Sequence, residues 1–133
     1  MKHKDSKEPR EWLEKAYHDL DAARKLYEQD GFPDTIALHC HQAAEKSLKG
    51  GLLWLDVEYP FTHDLNILLQ LCLEKDKEFT QLSKAIENLL PLYEEQRYPF
   101  DEQEPYSDQE LEDYINSTAK IQAFVKEKLK VAD

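Results

Sequence analysis

Glycine, cysteine and long apolar runs are all scarce in this sequence. Its 133 residues include three glycines and two cysteines, and runs of β-branched residues are absent, which disfavours a sheet-rich fold. The longest apolar run is far too short to span a bilayer, and the charged start, MKHKDSKEPR, lacks the features of a signal peptide. Cys40 and Cys72 lie within apolar helical patterns, so we expect two reduced, buried thiols in a cytoplasmic protein.

Positive charge is also in short supply. Lysine and arginine number 17 against 28 aspartates and glutamates, which gives a net charge of −11. A field of this sign repels nucleic acid and anionic lipid unless a local basic patch overrides it, so we expect neither a duplex nucleic acid nor a membrane as partner. Nine of the carboxylates lie between Glu94 and Asp113. This run is either a solvated loop or a docking surface for a basic partner.

The abundant residues favour helices. Leucine, glutamate, lysine, alanine and glutamine dominate, and a hydrophobic content of 41% beside a charged content of 34% is typical of a globular protein. We predict one all-α domain over residues 1–133, folded as an antiparallel up-and-down helical bundle. The spacing of the apolar residues predicts five helices, at about 9–30, 33–55, 64–75, 78–96 and 108–130.

Several residues mark the predicted helix boundaries. Pro9 and Pro33 suit the first turns of helices one and two, and Gly31 ends helix one. The sequence SDQE at 107–110 matches a capping box and starts the last helix. Pro91 falls near the middle of the fourth helix, where it predicts a break or a kink.

The second predicted helix carries the stretch HCHQAAEKSLKG (39–50). On a helical wheel, small residues such as Ala43 and Ala44 face the core, and a group of polar side chains lies opposite. Three leucines share the polar side, so we expect partial cover from a loop or a second subunit. The face is then either an ion-paired surface or an anion- or nucleotide-binding site, and Gly50-Gly51 indicates a kink or a close helix contact. The polar members are Gln42, Glu45, Lys46 and Lys49, and the leucines are Leu38, Leu52 and Leu53.

Three pieces of the sequence together resemble the HEPN domain (higher eukaryotes and prokaryotes nucleotide-binding). They are HQAAEK at 41–46 with Lys49, THDL at 62–65, and RYP at 97–99, in that order and spacing. The N-terminal EWLEKAYHDLDAARKLYE also resembles the first helix of this family. The resemblance covers nearly the whole chain and implies an all-α bundle that usually forms homodimers.

The resemblance also implies possible functions. Prokaryotic HEPN proteins are often encoded beside a minimal nucleotidyltransferase, in a two-component or toxin–antitoxin module. Some branches are metal-independent endoribonucleases whose motif is an arginine followed, after four to six residues, by a histidine. No histidine follows Arg97, Arg10 or Arg24 at that distance. We therefore expect a non-catalytic module that binds a nucleotide or a nucleotidyltransferase partner, and the alternative is an endoribonuclease with a rearranged site built on His63.

The predicted site combines the polar face with the two other pieces of the family pattern. Each member has a structural alternative: Glu45 and Lys49 form an ordinary helical ion pair, and Asp64 stabilises a helix start. Arg97 could instead pair with the carboxylates of its own loop. No cofactor is expected, and no metal either, because His41 and Glu45 at helical spacing lack a third ligand. The predicted ligand-binding residues are Gln42, Glu45, Lys46, Lys49, His63, Asp64, Arg97 and Tyr98.

Overall fold

Helices account for most of the computed structural model, which describes residues 8–94 and 106–132. Within these ranges there is no β-strand, and the predicted all-α helical bundle is confirmed. No helix in this part of the chain is both long and apolar enough to cross a bilayer. In chain order the elements are α1 (Pro9–Glu28), α2 (Pro33–Trp54), α3 (Leu65–Lys75), a 3-10 helix (Lys77–Leu82), α4 (Ser83–Glu94) and α5 (Asp108–Ala132).

Local side-chain contacts fix where the helices begin. Ser107 and Glu110 form the predicted capping box at the start of α5: the Glu110 amide donates to Ser107 Oγ (3.1 Å), and the Ser107 amide donates to Glu110 Oε1 (2.9 Å). Pro9 and Pro33 both occupy first turns, as predicted. The starts of α1, α2 and α5 are therefore encoded by residues within three positions of each boundary.

The ends of α1 and α2 share one arrangement. Asp30 and Asp56 adopt the left-handed conformation, with φ of 57° and 63°. The amide that follows each of them donates back to a carbonyl five residues earlier: Gly31 to Leu26 (2.6 Å) and Val57 to Leu52 (2.9 Å). This is a Schellman motif with aspartate at the position that glycine usually takes. The left-handed residue that ends α1 is thus Asp30 and not Gly31.

The predicted fourth helix is two elements. Asp76 caps the 3-10 helix by accepting a bond from the Glu78 amide (3.0 Å), and α4 starts only at Ser83. The expected break at Pro91 is wrong, because α4 continues through Pro91 to Glu94. Pro91 is exposed and lies in the last turn, so its missing amide removes a single bond near the helix end.

Helix α2 lies at the centre of the bundle, in contact with α1, α3, α4 and α5. Its small residues Ala43 and Ala44 are fully buried, as the wheel predicts. A Cβ on Gly50 would lie 3.0 Å from the Pro9 carbonyl oxygen and 3.3 Å from Trp12 Cβ. Of the two alternatives for the glycine pair, the close helix contact is therefore observed at Gly50. This contact brings the first turns of α1 over the polar side of α2.

Candidate functional site

The polar side of α2 is organised around the buried carboxylate of Glu45. Glu45 Oε2 accepts a hydrogen bond from Lys49 Nζ at 2.8 Å, and both Glu45 oxygens lie 3.0 Å from His63 Nδ1. His41 Nδ1 is 3.8 Å from Oε1. We call Glu45, Lys49, His63 and His41 the Glu45 cluster. It joins about two turns of α2 to the loop that precedes α3.

Two aromatic rings cover the lysine of this cluster. Lys49 Nζ lies 5.7 Å from the centre of the Trp12 ring and 5.4 Å from that of Tyr59, in cation–π geometry. Only about a tenth of the Lys49 and Glu45 side chains is exposed, at 10% each. The polar face is therefore sheltered, by α1 on one side and by the 55–64 loop on the other. Removing only one partner of a charge pair this deeply buried strongly lowers the stability of the fold.

Lys46 belongs to a second group of charges. Its Nζ donates to Asp19 Oδ2 at 2.7 Å, and His39 Nδ1 lies 2.9 Å from Asp19 Oδ1. Asp19 is buried on α1, whereas His39 and Lys46 are half-buried on α2. We call these three residues the Asp19 cluster. Like the Glu45 cluster, it holds a carboxylate between a lysine and a histidine.

His63 is the member of the Glu45 cluster that reaches the surface. Its side chain is 61% exposed, and the ring of Phe61, which is itself 98% exposed, lies edge-on to it at 6.0 Å. A carboxylate has only acceptors, so the Nδ1 facing Glu45 carries the proton. In the neutral imidazole, Nε2 is then an acceptor on the side away from Glu45. The surface thus offers an oriented imidazole beside a bare aromatic ring.

Asp64 fixes the loop that presents His63. Its Oδ1 accepts from the amides of Asn66 (2.9 Å) and Ile67 (3.4 Å), so it is the N-cap of α3. The Asp64 amide in turn donates to Thr62 Oγ1 at 3.1 Å. Asp64 therefore stabilises a helix start, which is the structural alternative given for it above. It does so as the N-cap of α3, one residue before the first turn.

Burial changes the chemistry of the remaining candidate groups. Desolvation lowers the pKa of His41 from its ordinary 6.5, and the nearby Glu45 carboxylate offsets part of that shift, so His41 is neutral at pH 7. Desolvation also raises the pKa of both Cys40 and Cys72 to about 12. These cysteines are free and buried, as the sequence predicts, and they are poor nucleophiles. No group of three potential metal ligands occurs within residues 8–94 and 106–132.

The structure brings together only part of the predicted site. Glu45, Lys49 and His63 meet in one cluster, but Lys46 faces Asp19 instead. Gln42 is half-buried on the same helix, and two of the three leucines on that side, Leu52 and Leu53, are buried, whereas Leu38 is exposed. The two other predicted residues, Arg97 and Tyr98, lie outside the described residues.

Sequence reasoning missed the residues that other elements contribute. Asp19 lies three residues after Ala16 and four before Ala23, both fully buried. Its place within the apolar stripe of α1 could therefore have indicated a buried carboxylate. Trp12 and Tyr59 cover Lys49, and Phe61 flanks His63. No spacing rule links these aromatic residues to α2.

A family comparison identifies the fold. The model of the HEPN domain matches residues 9–128. The chain belongs to the HEPN family. This agrees with the resemblance of its HQAAEK, THDL and RYP pieces.

Two solved structures share the HEPN fold of this chain. An archaeal HEPN homologue superposes with a TM-score of 0.73 at 24% identity, over 92% of this chain and 98% of its own. The protein TT1696 from Thermus thermophilus superposes with a TM-score of 0.73 at 30% identity, over 90% of this chain and 97% of its own. None of the curated proteins matches the chain. The chain thus spans nearly the full length of both similar structures.

Proposed function

We propose that this HEPN protein is a non-catalytic module that binds a nucleotide on the surface formed by Phe61 and the Glu45 cluster. The observation that carries the proposal is the His63 imidazole, held at Nδ1 by a buried carboxylate while its ring lies exposed beside Phe61. Exposed aromatic rings bind nucleobases by stacking, and an oriented acceptor adds a hydrogen bond. In this proposal a base stacks on Phe61, and His63 Nε2 accepts from an N–H or O–H of the same ligand.

The lysines act indirectly in this proposal. Lys49 is buried and hydrogen-bonded to Glu45, and Lys46 is hydrogen-bonded to Asp19. Both ammonium groups are therefore paired with carboxylates of the fold. They hold the two carboxylates in place by hydrogen bonds, and the carboxylates in turn hold the imidazoles of His63 and His39. Of the two alternatives for the polar face, this proposal takes ion pairing for both lysines and not direct contact with an anion. A phosphate contact would come from His63 when protonated or, by the family resemblance, from Arg97 and Tyr98.

Binding measurements with matched phenylalanine variants test this proposal. Isothermal titration calorimetry with ATP, GTP and a short single-stranded RNA should detect binding by the wild-type protein. Phe61→Ala should weaken it by roughly 5- to 150-fold, because base stacking on an aromatic ring is worth about 1–3 kcal/mol. Phe32→Ala is the control, since Phe32 is 77% exposed but lies at the start of α2, away from the cluster. Equal affinities for the two variants, or no binding of any of these ligands, would refute the nucleotide site.

We further propose that the protein acts as a homodimer together with a minimal nucleotidyltransferase, in a two-component or toxin–antitoxin-like system. Its support is membership of the HEPN family, which matches residues 9–128. Light scattering during size-exclusion chromatography measures the assembly state, and a monomer at micromolar concentration would contradict the homodimer. Co-purification with a nucleotidyltransferase encoded by a neighbouring gene tests the partner.

An endoribonuclease is the second candidate, and the Glu45–His63 contact favours it. A carboxylate that orients an imidazole is a common arrangement for general acid–base catalysis. We rank it second because, among the described residues of the Glu45 cluster, His63 alone is well exposed. A second group, to stabilise the phosphorane, would have to come from outside the cluster. Cleavage of labelled RNA in EDTA that disappears in His63→Ala would promote this candidate above the binding module.

A further inference from the structure

A long groove between α1 and α5 is distinct from the nucleotide surface. It encloses about 720 Å³. Trp12, which covers Lys49, and Asp19 lie on the opposite side of α1. On a helix of about 100° per residue, they point about 140° away from the α1 residues that line the groove. The groove residues are Arg10, Leu13, Glu14, Tyr17, Leu20 and Arg24 on α1, with Ala119, Gln122, Ala123, Lys126, Leu129 and Lys130 on α5.

The groove combines an apolar floor with basic edges. Leucines and alanines of both helices form the floor, and Tyr17 stands 54% exposed over it. Four cationic side chains lie along the edges against the single carboxylate of Glu14. This reverses the balance of the whole chain, whose net charge is −11. Arg24, Lys126 and Lys130 are exposed and form no ion pair with another residue in the described part of the chain.

We infer that this groove is a docking site for an acidic amphipathic helix of another protein. The groove extends from Arg10 to Arg24 along α1, about 21 Å at roughly 1.5 Å per residue, which accommodates about four turns of a helix. An incoming helix would place apolar residues at i, i+3, i+4 and i+7 on the floor, as helix-in-groove partners do. Its flanking glutamates and aspartates would meet Arg24, Lys126 and Lys130, and this charge complementarity sets the sign of the partner.

A second copy of this chain is a poorer occupant. In a two-fold dimer the same patch packs against itself, so the basic edges of one groove would meet those of the other. Like charges placed together in this way oppose association. The inference is independent of the proposed nucleotide site, because it uses none of the residues of the two clusters.

Selection from a peptide library tests the sign of the partner. A display library of 14-residue amphipathic sequences, with polar positions drawn from Asp, Glu, Lys, Arg and Gln, is panned against the full chain. Ala123→Arg, which places a bulky group on an exposed position of the groove, is the depletion control. Peptides that bind the wild-type protein and not this variant should be enriched in acidic residues. Enrichment of neutral or basic peptides, or no peptide dependent on the groove, would overturn the inference.

Charge reversal supplies the second measurement. The affinity of the enriched acidic peptide should fall at least about tenfold in the Arg24→Glu/Lys126→Glu variant. Lys77→Glu/Lys84→Glu makes the same change in net charge on exposed lysines outside the groove, and its affinity should stay within about twofold of wild type. Equal losses in the two variants would show a nonspecific field effect and refute the site. Conversion of a dimer to a monomer by Ala123→Arg would assign the groove to a second copy and refute it as well.

Discussion

Nδ1 of His63 lies 3.0 Å from each carboxylate oxygen of Glu45, although 18 residues separate the two in sequence. Glu45 comes from the central helix and His63 from the loop before α3. The contact therefore fixes the imidazole relative to the bundle, and Lys49 donates a second hydrogen bond to the same carboxylate at 2.8 Å. The exposed imidazole of His63 is thus anchored to a buried charge pair.

The buried lysine–glutamate pair should couple far more strongly than an exposed pair of the same spacing. In a double-mutant cycle, Glu45→Leu and Lys49→Leu should each cost about 3–5 kcal/mol of unfolding free energy, because either change removes one partner of a buried charge pair. The double variant should lose much less than the sum of the two. Urea denaturation measures these free energies.

Asp21 and Lys25 provide the control for this cycle. They have the same i,i+4 spacing at 3.2 Å, but their side chains are 42% and 69% exposed. Their coupling energy should be about 0.3–0.5 kcal/mol, as for other exposed helical pairs. Comparable coupling energies in the two cycles would mean that Glu45 and Lys49 are solvated.

The two adjacent glycines should respond differently to alanine. A Cβ on Gly50 would meet the Pro9 carbonyl oxygen at 3.0 Å, whereas one on Gly51 would lie 3.4 Å from the Phe79 ring. Both changes gain up to about 1 kcal/mol of helix propensity, but Gly50→Ala must also push α1 outward, at about 1–3 kcal/mol. Thermal unfolding should therefore rank Gly51→Ala above Gly50→Ala by about 1 kcal/mol or more. The reverse order would be inconsistent with the close α1–α2 contact.

Protonation of His41 should make the protein less stable in mild acid. Burial lowers the pKa of His41 below the ordinary 6.5, so the unfolded chain binds this proton more tightly than the folded one. The stability that neutral His41 contributes is therefore present above pH 6.5 and decreases as the pH falls below it. His41→Gln should flatten the dependence of unfolding free energy between pH 7 and 5. The exposed His18 serves as control, and an unchanged pH slope in His41→Gln would contradict this assignment.

The left-handed aspartate at the end of α1 should accept glycine. Asp30 has a φ of 57°, where a residue with a Cβ is strained by roughly 1 kcal/mol. Asp30→Gly should therefore raise the unfolding free energy by up to about 1 kcal/mol. Gln29, with a φ of −101°, is the control: Gln29→Gly should lower stability. If Asp30→Gly destabilised the protein as much as Gln29→Gly, the left-handed conformation of Asp30 at the end of α1 would be contradicted.

The local features of the fold were predictable from sequence. The capping box of Ser107 and Glu110 and the first-turn prolines act within a few residues, so they appear directly in the sequence. The observed end of α1 differs from the predicted one, because Asp30, not the adjacent glycine, takes the left-handed conformation. The sequence predicts one helix where the structure has the 3-10 helix at 77–82 and α4, because the apolar spacing of the 3-10 helix resembles that of an α-helix.

The site was predictable only where one helix supplies it. Glu45 and Lys49 are four residues apart and could be paired by spacing alone. Asp19 and Lys46 are 27 residues apart, and Lys49 meets Tyr59 only through the path of the loop. Such contacts depend on how the bundle packs, which helical periodicity does not specify.

The most direct test follows the histidine and phenylalanine rings by NMR during titration with ATP, GTP and a short RNA. We predict that His63 is an Nδ1–H tautomer when neutral, and that a nucleotide shifts the ring signals of His63 and Phe61 while those of His18 and Phe32 stay in place. An Nε2–H tautomer for His63, or ring signals of His63 and Phe61 that do not respond to any of these ligands, would contradict it.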